Sequence, residues 1–476
     1  QEQSCFSDIW DACAEMDRYL VMSFDPSKRQ TLFGESLNKW PVSFEAVCST
    51  LVETSGQRSK ENGDVDANND WSQQDTTLSL RDLIKQPKFS SEAKRSEKAY
   101  QGAFTGIINF PNFLLQVLRV WSGKNKSRAE NPDLLCLDTA ITLDDKKLLD
   151  AFDNLITTVD QVRSFTHTLL VCRLLLDRYV IKRKSDEKWT LKAYKKNTGS
   201  TDKNDSYSDV NTFSSEQTDS QVNGLNQQLV MVLSMFHVSF PGQSRKYWLS
   251  AVLSYLYSQK GEKSVSITAE DYLSFLECLS DQLFFQHFCT EDRKDYDVLL
   301  GQLKRSKVTG EVGNSSGSIA DELKQSCLNR GTHTENFIFN RLDYLLWKRL
   351  ALDKALDSDD FVCGNKKYIA ESMKRDEFSF TARSSVEHYY PQQSKGQDFP
   401  QENGGVDRFG NLCLISQSLN SRLSNAGYED KKRIFENSSA TESLKQLLMM
   451  SYEKWGPDSD DKQDSDDSIG MKNVRE

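Results

Sequence analysis

At 476 residues the chain is too long for one ordinary core, so two or three domains are expected. A hydrophobic content of 37% and a mean hydropathy of −0.62 predict long solvated loops, yet 25 Phe, 16 Tyr and 8 Trp suffice for substantial cores. A net charge of −10 excludes coating nucleic acid by charge alone, and no apolar run reaches the roughly 18 residues that span a bilayer.

Nine prolines and heavy Leu, Lys, Asp and Ser usage favour helix over sheet. Ten cysteines lie between Cys5 and Cys413. None forms a CxxC pair, and none joins the five histidines at zinc spacing. They are expected to be reduced, buried, small apolar residues of a cytoplasmic protein.

Phe6, Ile9, Trp10, Cys13, Met16 and Leu20 recur at helical spacing, and the following LVMSF has the composition of a strand. Residues 43–53 predict another short helix. From Thr54 to Asp75 apolar periodicity is lost, as in a loop. Pro111 opens a helix whose buried face is Phe113, Leu114, Val117 and Leu118. Residues 143–156 form a helix with Asp144 and Asp145 near its start. Residues 159–181 are strongly apolar and too long for a strand, which makes them a core helix. His167 lies on it as a scaffold residue. Residues 188–196 read as a strand, and 197–224 as a polar insertion.

Three helical blocks follow. The third is capped by Thr268 with Asp271 three residues later. His237 and His287 sit at helix ends as packing or capping residues. Residues 304–332 are loop-like. Residues 334–356 form a last scaffold helix, with Phe339, Leu342, Leu345, Leu346 and Leu350 near one face. The tail after Trp455, with seven acidic residues, is expected to be disordered.

Between Phe378 and Ile434 lies a stretch of a different kind. FSFTARSSVEH alternates like a strand and ends at Glu387-His388, and Pro391 stops it. NLCLIS (411–416) predicts a second strand. SLNSRLSN begins a helical turn, and Lys431, Lys432 and Arg433 continue on a charged helix. Phosphodiester hydrolysis needs a base near neutral pH, a divalent cation and oxygen ligands to hold it. His388 can be the base. Glu387 and Asn420 can supply a carboxylate and an amide oxygen for Mg²⁺. Neighbouring strand residues point to opposite faces, so Glu387 and His388 serve one phosphate only where the strand end is irregular. By itself an adjacent Glu-His pair carries little information, and Asn-rich turns are commonly only turns.

The string VEHYYPQ, then DRFGNLCLISQSLNSRLSN, then DKKR resembles the HNH-like, ββα-metal nuclease domain of GmrSD-type restriction proteins. The match runs through Glu387, His388, Pro391, Gln392, Gly410, Asn411, Leu412, Leu414, Asn420, Asn425 and Lys431. The resemblance implies His388 as general base, with Glu387 and Asn420 as ligands of Mg²⁺ or Mn²⁺. It implies that Asn411 holds the histidine loop. Arg422, Lys431 and Lys432 are candidates for phosphate contacts. Upstream, FTGIINFPNFLLQVLRV, LDDKKLLDAF and NFIFNRLDYLLWK are similar to the helical middle of the same family. The family's Asp-Gly-Gln-Gln-Arg nucleotide motif is not found; Gly56-Gln57-Arg58 is read as loop. This implies a nucleotide-binding domain upstream or on another chain.

The expected architecture is mainly α, a helical body with a small C-terminal α+β nuclease domain of ββα-metal type. Its divisions are 1–100, a remnant of an N-terminal domain; 101–360, a helical middle; 361–455, the HNH-like domain; and 456–476, an acidic tail. The expected function is metal-dependent endonuclease cleavage of DNA, modified or phage DNA included, in a restriction or anti-phage system, without membrane attachment. A helical sensor whose nuclease-like domain binds without cleaving, or cleavage of RNA, are the alternatives.

Overall fold

A computed structural model describes residues 2–58, 104–127, 134–183, 188–196, 207–213, 220–264, 267–290, 293–303, 327–328, 330–352, 365–375, 378–392, 402–438 and 440–452. The acidic tail and most of the two long polar segments around 60–100 and 304–326 lie outside these residues. The chain divides into two compact units, residues 1–212 with 249–267, and residues 213–248 with 268–476.

The first unit is built from α1 (Glu2–Ala14), α2 (Pro26–Phe33), α3 (Phe44–Arg58), α4 (Phe110–Ser127), α5 (Leu148–Leu155) and α6 (Val159–Tyr179), with a small antiparallel pair, β1 (Lys192–Lys196) and β2 (Tyr207–Asn211). The core helix expected at 159–181 is α6. Thr158 and Gln161 close its start reciprocally as a capping box. Phe113, Leu114, Val117 and Leu118 are buried on α4, as their spacing predicts. Three expectations change here. LVMSF is a 3-10 turn (Leu20–Ser23), whose Leu20 N–H donates to buried Asp177 at 2.7 Å. Within the segment read as an insertion, 207–211 pairs as β2, with Tyr207 stacked on Tyr194 at 5.5 Å. Gly56-Gln57-Arg58 closes α3.

The cysteine expectation is also corrected. Cys5 on α1 is bonded to Cys48 on α3, and Cys289 to Cys327. Each pair is about 40 residues apart in sequence. Spacing alone cannot announce such pairings, because tertiary packing brings the residues together. Cys13, Cys172 and Cys413 are free and buried, as expected.

The second unit begins with α7 (Ser220–Ser239); most of α8 (Tyr247–Ser258) belongs to the first unit. Next come α9 (Ala269–Leu283), α10 (Tyr296–Gly301) and α11 (Asn336–Trp347). The Thr268 side chain accepts from Asp271 N–H and donates to its carboxylate, the cap read from sequence. Phe236, Phe240, Phe288 and Phe337 fill the space between these helices with ring-to-ring contacts. His237 and His287 lie at the expected helix ends. His287 stacks on Tyr296, with ring centroids 4.1 Å apart.

The buried face of α11 is rotated from the one expected. Leu345 is exposed, while Phe337, Ile338, Asn340, Asp343, Tyr344 and Trp347 are buried with Phe339. A carboxylate at the centre of a helix face is tolerated when it is fully paired. Asp343 meets that condition. Its Oδ2 accepts from Arg383 at 2.5 Å, and its Oδ1 from Ser443 Oγ and Lys445 N.

Beyond α11 come α12 (Lys366–Arg375), β3 (Ser385–His388), β4 (Leu412–Ile415), α13 (Gln417–Leu423), α14 (Tyr428–Glu436) and α15 (Leu444–Met450). β3 and β4 are antiparallel, with Val386 opposite Leu414 and His388 opposite Leu412. Phe339 of α11 packs on Leu412 and Leu414, with Val386 and Phe409 at the margin. This helix, assigned from sequence to the middle segment, therefore forms the floor of the strand pair.

Candidate active site

The pleat of β3 sorts its side chains to two faces. On one face Val386 packs toward Phe339, and His388 follows it two residues later. On the other face stand Ser385 and Glu387, which meet α13 and α14 through hydrogen bonds.

On the first face His388 Nε2 lies 2.6 Å from Asp407 Oδ1. An ionised carboxylate can only accept, so His388 Nε2–H is the donor of this bond. The hydrogen bond from His388 holds the Asp407 carboxyl below its ordinary value, with Gln392 and His333 adding smaller contributions. Gln392 Nε2 donates to the same oxygen at 3.2 Å. Asp407 arrives on a 3-10 turn (Glu402–Asp407), against which the turn at Gly331–His333 lies. Gly331 has φ +56°, and a Cβ there would stand 3.1 Å from Asp407 Cβ. Both the backbone conformation and the close approach favour glycine.

Asn411 is fully buried and ties the two sides of the loop together. Its Oδ1 accepts from Tyr390 N–H at 2.8 Å. Its Nδ2 donates to Tyr390 O at 3.0 Å and Val406 O at 2.8 Å. Its backbone carbonyl accepts from Tyr389 N–H at 2.9 Å. Tyr389 and Tyr390 after His388, and Val406 just before Asp407, are thus all fixed to Asn411.

On the second face Lys431 Nζ donates to Glu387 Oε1 at 2.6 Å, and also to His388 O. Both partners are buried, their side chains 1% and 8% exposed. Burial raises the Glu387 carboxyl above its usual range, and the Lys431 hydrogen bond and charge oppose that rise. Asn420 Nδ2 donates to Ser385 Oγ at 2.6 Å, which holds the amide by its nitrogen end. Among the described residues no hydrogen bond to Asn420 Oδ1 is found. The start of α13 is fixed by Ser416, the N-cap, whose N–H and Oγ both meet the Glu442 carboxylate.

Seven residues were singled out from sequence. The fold brings Glu387, Asn420 and Lys431 to one face of β3, and His388 to the other, with Asn411 bracing the loop. Arg422 is exposed at the end of α13. Lys432 is half-buried, its ammonium 4.9 Å from the Tyr368 ring centre. Lys431 points inward rather than toward solvent. Asp407 and Gly331 were missed. Asp407 stands four residues before Asn411, a spacing that becomes meaningful only once the loop is folded.

Glu387 and Asn420 offer hard oxygen donors, which suit Mg²⁺ or Mn²⁺ completed by water. In chemistry they fit such an ion, although Lys431 already neutralises the carboxylate. Among the described residues no group of three or more His, Cys, Asp or Glu is placed to hold a metal, and no helix is long and apolar enough to cross a membrane.

Neither a curated protein nor a solved structure matches the chain. A family model does: residues 318–465 match GmrSD restriction endonucleases, C-terminal domain. The matched segment includes α11, both strands, the Asp407 turn and α13 to α15, and hence every residue of the candidate site. The similarity to GmrSD restriction endonucleases therefore covers residues 318–465, the segment that holds the whole candidate site.

Proposed function

We propose that the 318–465 segment is a metal-dependent endonuclease of HNH type that hydrolyses DNA phosphodiester bonds as the effector of a restriction or anti-phage system. The observation that carries this reading is the His388–Asp407 pair, braced by Asn411 inside a matched restriction-endonuclease domain. His388 Nδ1 takes a proton from water, and Asp407 stabilises the imidazolium that results. Asn411 keeps the His388 and Asp407 backbones in register through the proton transfer. Glu387 and Asn420, on the other face of β3 from His388, would hold a divalent cation, and its charge would reach the phosphate and leaving oxygen served by His388 at the end of the strand, where the pairing stops at His388–Leu412. Arg422 and Lys432 contact flanking phosphates. A nucleotide-binding domain on an adjoining segment or another chain would complete the system.

A second reading is favoured by one observation, the buried Lys431–Glu387 pair. With its carboxylate neutralised, the domain would bind nucleic acid without cutting it. Plasmid DNA incubated with the purified chain and Mg²⁺ separates the two. Cleavage that stops with EDTA and is abolished in His388→Ala supports the nuclease. Equal cleavage by His388→Ala would refute the base assignment, and binding without cleavage would favour the second reading. Single-stranded RNA tested in parallel decides the substrate.

A further inference from the structure

The candidate site already contains a positive charge. A lysine on a charged surface helix normally extends its stem and leaves its ammonium in water. Lys431 does the reverse. Its helix, α14, starts at Tyr428 after the turn at Ser424, which has φ +46°. From there its ammonium reaches the Glu387 carboxylate and the His388 carbonyl, and its side chain is 1% exposed. Burying both charges costs desolvation on each side, and the pair persists because the ammonium finds two acceptors.

The location gives the pair its meaning. Ser385 and Glu387 lie two residues apart on the same face of β3, and Ser385 holds Asn420. The carboxylate and amide suited to a divalent cation therefore share a face with the lysine ammonium. A cation approaching Glu387 with the ammonium in place meets a like charge in a buried setting, where repulsion is weakly screened. Conversely, removal of the ammonium leaves a buried carboxylate that a divalent cation can neutralise.

We propose that Lys431 is a tethered cation on Glu387 that must withdraw for a divalent cation to bind there. The inference rests on the reading of Glu387 and Asn420 as metal ligands. Once withdrawn, the ammonium joins Lys432 on the same helix as a positive charge available to a phosphate. Binding of metal and binding of nucleic acid are thereby coupled through one side chain.

Two measurements on the full chain test this. In the first, lysines are acetylated with and without saturating Mn²⁺, and modification is read by mass spectrometry. Lys431 should be protected in EDTA and at least about tenfold more reactive in Mn²⁺, while Lys445, equally buried, stays protected in both. In the second, free Mn²⁺ is followed by paramagnetic resonance. Lys431→Met should bind Mn²⁺ at least about tenfold more tightly than wild type, and its melting temperature should rise more on Mn²⁺ addition. If Lys431→Met does not fold, the acetylation of wild type decides alone. Mn²⁺ binding and DNA cleavage by a wild type whose Lys431 stays protected overturn the inference and leave the nuclease reading standing. A wild type that neither binds Mn²⁺ nor cleaves DNA overturns the metal-dependent reading and the inference with it.

Discussion

His388 has its ring orientation set by one carboxylate, and that carboxylate has its own position set by a glycine turn and a buried asparagine. Asp407→Asn can donate to the histidine as well as accept from it, so the proton is no longer held on Nε2. The expected result is a fall in kcat of about 100-fold or more with KM for DNA nearly unchanged, partly restored by Asp407→Glu. Steady-state cleavage assays would show whether KM moves instead, which would point to a binding role. Gly331→Ala should act in the same direction, since a methyl group there presses on Asp407 and the φ of +56° is strained by roughly 1–2 kcal/mol. Arg422→Ala is the contrasting case. The residue is exposed, so stability should change by no more than about 0.5 kcal/mol while DNA affinity falls and its salt dependence weakens.

At the level of elements, the strand pair stands on α11. Arg383, just before β3, donates to Asp343 and Asn340 of α11 and to the Glu442 carbonyl before α15. Removing the carboxylate in Asp343→Ala leaves a guanidinium buried without its counter-charge. The expected cost is about 3–5 kcal/mol in urea unfolding, with cleavage lost as the β3 register loosens. Lys445 of α15 plays a related part beneath β4. Its ammonium meets the Phe409 and Leu412 carbonyls and lies 4.0 Å from the Phe409 ring centre. Burial lowers its pKa from 10.5 to about 7. Between those values the unfolded chain binds more protons at this lysine than the folded one. Its contribution to stability therefore rises with pH across that window, and the desolvation cost is fully present below pH 7. Lys445→Met should flatten the difference in unfolding free energy between pH 7 and 10, as measured by denaturant titration at each pH. An unchanged slope would show that the ammonium is less buried in solution.

At the scale of the whole molecule, the described residues hold two cross-links, Cys5–Cys48 in the first unit and Cys289–Cys327 in the second. A bond closing a loop of this length restricts the unfolded chain by about 2–4 kcal/mol. Cys289→Ser, or reduction with dithiothreitol, should lower the denaturation midpoint of the oxidised chain accordingly. A midpoint indifferent to reductant would show that the pair is not bonded in solution. The match to the GmrSD domain begins at residue 318, so α11 falls within it, in keeping with its packing under Leu412 and Leu414. The match does not extend to the helical residues before 318.

The local pattern of the sequence determined the helices and their caps. The α4 and α6 cores, the Thr158 and Thr268 starts and the strand–strand–helix order after residue 385 follow from periodicity, capping chemistry and turn residues, all of which act over a few positions. Glu387, His388, Asn411 and Asn420 stand out through the resemblance of their segment to the GmrSD-type nuclease domain, since their local pattern alone carries little information. Tertiary structure decided which of them meet. Asp407 comes to His388 across 19 residues, Gly331 to Asp407 across 76, and Asp343 to Arg383 across 40. The inward turn of Lys431 belongs to the same class. A lysine on a polar helix reads as solvated in any sequence window. Only the approach of Glu387, 44 positions earlier, supplies the carboxylate that makes its burial favourable.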